Sequence, residues 1–329
     1  MKCLFAIVIG LMLGFSASWA VAADCGKVTI GEMNWSSAQV IANVEKFVLE
    51  AGYGCQVAII QTSTVPAMTS MTEKGEPEIA SEIWSNSVKA SLDKAIAEGR
   101  LVSAGNVLAD GGVEAWWLPK YFVDAHPEIK TIQDVMANAQ MFKDPEDPSK
   151  GRFYSCPSGW ACKIINTNLF RAYGMEKSFT NFDPGSAEGL SASIAKAYER
   201  KEPWFGYYWA PTAVLGKYPM VQVELGEFSA AGHACNIKED CDKPQAGRYP
   251  PSQVLAVTTK AFADAHKAEF EFLQKISIPN DGMNEVLAWG EDEQAEGNEM
   301  AGYFMQKYGD LWASWLPDDV AARVKAALP

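Results

Sequence analysis

Histidine is scarce in this chain: His126, His233 and His266 are the only three in 329 residues, and none lies near a candidate nucleophile. There is no Cys-x-x-Cys pair and no His-Glu-x-x-His, so a zinc site has no sequence support. No Gly-x-x-x-x-Gly-Lys-Ser/Thr phosphate loop occurs. The nearest approach to a nucleophile elbow, Gly185-Ser-Ala-Glu-Gly189, has its serine one place early. An enzyme is therefore only a remote alternative, because triads assemble in space rather than in sequence. Basic residues are also few, 28 against 41 acidic, which disfavours nucleic acid and anionic membranes as partners. Beyond the first residues no apolar run is long enough to cross a bilayer.

The first residues do hold such a run, but a short one. Lys2 precedes apolar Leu4 to Phe15, and small residues lead to Ala22 and Ala23. This pattern is a secretory signal over residues 1–23, so the chain is expected to be exported. Its removal leaves 27 basic and 41 acidic side chains, a formal charge of −14, compatible with a cationic or zwitterionic small ligand. Six cysteines remain, formally with fifteen connectivities. Spacing favours Cys156–Cys162 and Cys235–Cys241 as local pairs, leaving Cys25 for Cys55. Each of the last two stands just before an apolar strand, and neighbouring parallel strands would bring them together.

The remaining length exceeds the usual single core, so two domains are expected. Strands at Val28–Ile30 and Gln56–Ile60, and a short strand that opens Pro77–Trp84 before a helix start, alternate with helices at Gln39–Leu49, Thr64–Lys74 and Ser87–Glu98. That alternation is the signature of an α/β chain with a parallel sheet and crossovers. Gly111 to Pro119 reads as a strand crossing into a second domain, and Ser252 to Thr259 as the return. The expected division is residues 24–112 with 226–329 in one lobe and 113–225 in the other.

Ligands in such sheets bind beyond the carboxyl ends of strands. Trp35, Trp84 and Trp209 each fall at such an end. The segment Tyr154-Ser-Cys156-Pro-Ser-Gly-Trp160-Ala-Cys162 is a tight, stapled turn running into a helix. The N–H groups of Ala161 and Cys162 are then free to donate to a ligand oxygen. Trp116 and Trp117 face opposite sides of an extended segment, and Glu114 shares a face with Trp116. One of the two indoles is expected in the cleft; core packing is the alternative for each of these tryptophans. Five indoles from separate segments suit an aromatic box, which holds an alkylated ammonium by burial and cation–π attraction of roughly 0.5–2 kcal/mol per face. Glu32, Glu82 and Glu114 are candidates to face a net cation. Trp289, Trp312 and Trp315 are assigned to core packing. The loop from Phe142 to Lys150 carries Asp144, Glu146 and Asp147, oxygen donors of the kind a structural Ca²⁺ takes. Their spacing matches no EF-hand, and a solvated loop is the alternative.

At these residues the chain resembles the periplasmic glycine betaine/proline betaine-binding family of ABC importers. Ile83-Trp84-Ser-Asn is similar to that family's Asn-Trp-Thr-Pro segment. Cys156-Pro-Ser-Gly-Trp160-Ala-Cys162 resembles its Cys-x-Pro-Gly-Trp-Gly-Cys loop, and Tyr208-Trp209-Ala-Pro211 its Tyr-x-Trp-x-Pro segment. The resemblance implies a type II periplasmic binding fold: two α/β lobes, with parallel or mixed sheets flanked by helices, closing on ligand. It implies an ammonium cage of Trp84, Trp160 and Trp209, with the Ala161 and Cys162 N–H groups on a ligand carboxylate. It further implies a permease in the inner membrane as partner, a periplasmic location, no cofactor and a monomer. The histidine that several betaine binders carry four residues after the first cage tryptophan is Val88 here. Trp35 and Trp116 extend the box, and the segments ending in Trp35 and Trp117 look more like the trimethylamine N-oxide-binding branch. That ligand is expected first, with glycine betaine and choline behind it.

Overall fold

A computed structural model describes residues 25–329; the expected signal segment lies outside them. Among these residues, ten strands form two five-stranded sheets of the same design. The first uses β1 (Lys27–Met33), β2 (Gln56–Thr62), β3 (Ile79–Trp84), β4 (Leu101–Asn106) and β10 (Val254–Thr259), in the order β2-β1-β3-β10-β4. The second uses β5 (Val113–Pro119), β6 (Gly151–Tyr154), β7 (Phe179–Phe182), β8 (Gly206–Ala210) and β9 (Met220–Gln222), in the order β7-β6-β8-β5-β9. In each, one strand supplied from across the junction, β10 or β5, runs antiparallel to both neighbours. The remaining strand pairs are parallel. Helices cover the sheets, so the fold is α/β with mixed sheets and two lobes, as expected.

Local sequence explains the elements that matter for the site. The helix Ser36–Tyr53 buries Val40, Ile41, Val44, Val48 and Leu49 and stops at Gly54, whose φ of 76° is the left-handed form glycine tolerates. Strand β3 is buried along its whole length, as a central strand covered on both faces must be. The β1–β2 register pairs Lys27 with Gln56, which carries Cys25 to Cys55. The disulfides are Cys25–Cys55, Cys156–Cys162 and Cys235–Cys241. The segment Phe228 to Tyr249, pinned by Cys235–Cys241, contains a short helix, Ala230–Asn236. Trp312 and Trp315 are core residues. Trp289 is only half-buried, stacked on Tyr303 with centroids 4.4 Å apart. No helix of the described residues is long and apolar enough to cross a membrane.

Candidate functional site

The carboxyl ends of the parallel strands in both sheets meet at one small cavity. Trp35 follows β1, Trp84 ends β3 and Trp209 lies near the end of β8. Trp160 stands at the start of the helix Ala161–Ala172, after the turn that leaves β6. These four indoles, with Thr64, Ser87, Glu114, Ala161, Cys162 and Tyr207, line a space of about 30 Å³ open to the centre of a water-sized sphere. A single water needs about 10–15 Å³ by that measure, so the closed cavity suits a compact ligand. None of the ten lining residues is basic.

The aromatic walls interlock. Trp160 lies edge-on between Trp35 and Trp209, with centroids 5.1 Å and 5.0 Å away and interplanar angles of 69° and 81°. Tyr207 precedes Trp209 by two on the same strand face, and their rings lie 6.4 Å apart. The lobes are closed on one another. Trp160 Nε1 donates across the cleft to Asn34 Oδ1 at 2.7 Å, and Val65 N donates to the Gly159 carbonyl at 3.1 Å. Gly159, at φ 89°, makes the turn, and a Cβ there would come within 2.5 Å of Ser63 Oγ. Ala161 and Cys162 are the first residues of their helix, where N–H groups have no intrahelical carbonyl to meet.

Glu114 is the one carboxyl on the cavity wall. It sits near the start of β5, and because β5 is antiparallel, that start lies at the ligand edge, opposite Trp209. It accepts from Tyr207 Oη at 2.8 Å and, across the cleft, from Ser87 Oγ at 3.1 Å. Burial pushes its pKa up to about 7, opposed by those two hydrogen bonds. Burial and the adjacent Glu114 hold the Tyr207 hydroxyl well above its ordinary value, so it donates. At neutral pH the cavity thus holds a carboxyl poised between its two forms.

The structure corrects several expectations. Trp116 does not enter the cavity. It is fully buried in the second lobe, packed on Phe153, Phe205 and Tyr173, with Nε1 on Asn166 Oδ1 at 2.7 Å. It does share a face with Glu114, but two residues along a strand is about 7 Å, enough to carry it from the ligand edge into the core. Trp117 is no substitute: its Nε1 donates to the Tyr208 carbonyl at 3.0 Å. Glu32 is held by Asn43 and Gln61 away from the cavity. Glu82 lies behind the indoles rather than beside a ligand. Val88 is buried and outside the cavity lining.

The carboxylates considered for Ca²⁺ have other partners. Asp144 Oδ1 takes Arg152 Nε at 3.1 Å and Nη2 at 2.6 Å, and Glu146 takes Nη2 at 2.9 Å. Asp147 caps its own turn through Ser149. Despite burial, the Glu146 backbone N–H, then Thr180 and the Arg152 guanidinium, hold the Asp144 carboxyl below the usual range. Sequence reasoning passed over Thr64, Ser87 and Tyr207 as lining residues. Strand alternation from Trp209 would have found Tyr207; the other two give no signal beyond lying near the ends of strands.

The chain is similar to known proteins in sequence and in fold. The family model for the substrate-binding domain of ABC-type glycine betaine transport systems matches residues 26–307. A glycine betaine/proline betaine-binding periplasmic protein of Salmonella typhimurium is 20% identical over 206 residues. That match covers 57% of this chain and 61% of that protein, less than two thirds of its length. Among solved structures, a glycine betaine, L-proline ABC transporter binding protein from Borrelia burgdorferi superposes with a TM-score of 0.73 at 16% identity, covering 91% of this chain and 99% of that one. An ABC-transporter choline-binding protein in complex with choline gives 0.73 at 18% identity, covering 93% and 99%.

Proposed function

We propose that this chain, which belongs to the family of substrate-binding domains of ABC-type glycine betaine transport systems, captures a small methylated ammonium osmolyte. Trimethylamine N-oxide is the favoured ligand. The protein is exported by the signal at residues 1–23 and delivers its ligand to a membrane permease from the periplasm. It binds without turning the ligand over. The observation that carries this reading is the cavity itself: four indoles and a tyrosine ring around one uncharged or singly charged carboxyl, with no basic side chain. A quaternary nitrogen has no N–H, so aromatic faces and burial are the means of holding it.

The choice of ligand follows from size and from the oxygen donors. A trimethylated nitrogen fills the box, and a single N-oxide oxygen needs only one or two donors. A protonated Glu114 and the N–H groups of Ala161 and Cys162 supply them. The cavity lining carries no basic side chain to meet a carboxylate, which weakens the case for glycine betaine. The two helix-start N–H groups still favour it, so it is the nearest competitor. Choline is favoured instead if Glu114 is ionised when the lobes close.

Isothermal calorimetry with trimethylamine N-oxide, glycine betaine, choline, carnitine and dimethylsulfoniopropionate tests this. Trimethylamine N-oxide is expected to bind tightest and to be recovered unchanged. Glycine betaine binding more than about tenfold tighter, roughly 1.4 kcal/mol, overturns the ligand assignment. Chemical conversion of any ligand by purified protein overturns the transport reading.

A further inference from the structure

Glu82 is a carboxyl in the middle of the first lobe with no ion-pair partner among the described residues. It is fully buried in β3. Burying such a group is costly, and a native structure keeps one where it has work to do. One oxygen, Oε1, accepts three hydrogen bonds: from Trp35 Nε1 at 2.7 Å, from Trp84 Nε1 at 2.9 Å and from Ser37 Oγ at 3.1 Å. The other, Oε2, has no partner. Ser37 lies in the first turn of the helix Ser36–Tyr53, where the helix end favours an electron-rich oxygen.

The geometry gives this oxygen a specific effect. An indole N–H lies in the plane of its ring, so fixing the N–H direction restricts where the ring face can point. Trp35 and Trp84 come from different segments, yet both are tied to the same atom. Trp84 is held at its other end as well. A Cβ on Gly112 would fall 2.1 Å from Trp84 Cζ3, so the Gly112 backbone closes against the six-membered ring. Gly112 in turn is bonded to Ser252 at the junction between the lobes, through N–H···O contacts of 2.7 Å and 3.0 Å.

We infer that Glu82 is a positioning residue of the cage: Oε1 sets the ring planes of Trp35 and Trp84 within the first lobe, whether or not ligand is present. The inference rests on the proposed aromatic cage. It assigns Glu82 no contact with ligand. What it requires is the acceptor oxygen, so an amide oxygen at the same place serves as well.

The test compares wild type, Glu82→Gln and Glu82→Leu by ¹H–¹⁵N spectra of the indole N–H groups in ligand-free protein and by calorimetry with trimethylamine N-oxide. Glu82→Gln is expected to keep both indole resonances near their wild-type positions and to bind within about threefold. Glu82→Leu is expected to move two indole resonances upfield and to weaken binding at least tenfold. Unmoved resonances in Glu82→Leu overturn the inference. So does a Glu82→Gln variant whose resonances or affinity fall as far as those of Glu82→Leu. If wild type binds no ligand of the panel, the functional reading fails, and the indole shifts still decide whether Glu82 orients the two rings.

Discussion

On the first-lobe wall of the cavity, the N–H groups of Trp35 and Trp84 end on Glu82 of the same lobe. On the second-lobe wall, the N–H of Trp160 ends on Asn34, across the cleft. Glu114, also of the second lobe, is held partly by Tyr207 beside it and partly by Ser87 opposite. One wall is therefore complete by itself, whereas the other reaches its final geometry only with the lobes closed. A preorganised wall costs little ordering on binding, so affinity is retained there. Under the proposed function, a wall finished by closure gains its contacts only as ligand is enclosed. The division assigns different consequences to residues that look alike in sequence.

The largest effect separates two buried tryptophans of the second lobe. Trp160→Ala removes an aromatic face of the proposed box and the bond to Asn34. The expected loss is about 2–3 kcal/mol, roughly 30- to 150-fold in Kd. Trp116→Ala instead opens a hole among Phe153, Phe205 and Tyr173. It should lower stability by roughly 3–5 kcal/mol while Kd, measured where the protein is folded, stays within a few-fold. Calorimetry paired with denaturant titration reads both. Equal losses of affinity in the two variants would return Trp116 to the ligand site.

That pair also marks how far the sequence could be read. Strand ends followed by turn residues placed Trp35, Trp84 and Trp209 at the carboxyl edges of the sheets, because a crossover topology dictates where parallel strands finish. The six-residue cysteine spacing placed Trp160. Period-two alternation put Trp116 on the face of Glu114 but carries no information on depth, and depth decided its fate. Glu82 was visible as a carboxyl near Trp84 but not as an anchor. Its other donors, Trp35 and Ser37, lie 47 and 45 residues away, and only the parallel pairing of β1 with β3 brings them together. The similar order of strands in the two sheets was equally invisible, since β10 returns from far along the chain.

A second effect comes from protons on the closing wall. With its pKa raised to about 7 by burial, Glu114 passes from donor to anion across neutral pH. If only the protonated form holds an N-oxide, apparent affinity scales with its population, a fall of about 30-fold between pH 6 and pH 8.5. Choline should show the opposite slope, and Glu114→Gln should flatten both. Stability follows the same sign. Glu114 and Glu45, the latter pushed up to about 8 by burial, bind protons in the folded protein that the unfolded chain has released. Their destabilising effect is absent below about pH 4.5, grows as pH rises, and is complete above about pH 8. The ligand-free melting temperature should accordingly be lower at pH 8.5 than at pH 6. A choline affinity that falls with pH in parallel with the N-oxide would mean that Glu114 does not face the ligand.

The smallest effect tests the asymmetry most directly. Asn34→Ala deletes only the acceptor of the Trp160 N–H. In an open protein both groups are free to meet water, so the ligand-free state loses nothing. In the closed state one intramolecular hydrogen bond is gone, worth about 0.5–1.5 kcal/mol net, or roughly two- to twelvefold in Kd. Because the bond forms after encounter, the loss should appear as faster dissociation with little change in the association rate. Stopped-flow tryptophan fluorescence separates the two rates. If Asn34→Ala lowers the melting temperature of the ligand-free protein as well, the bond across the cleft already exists without ligand. The second wall is then no less preorganised than the first, and the contrast between them disappears.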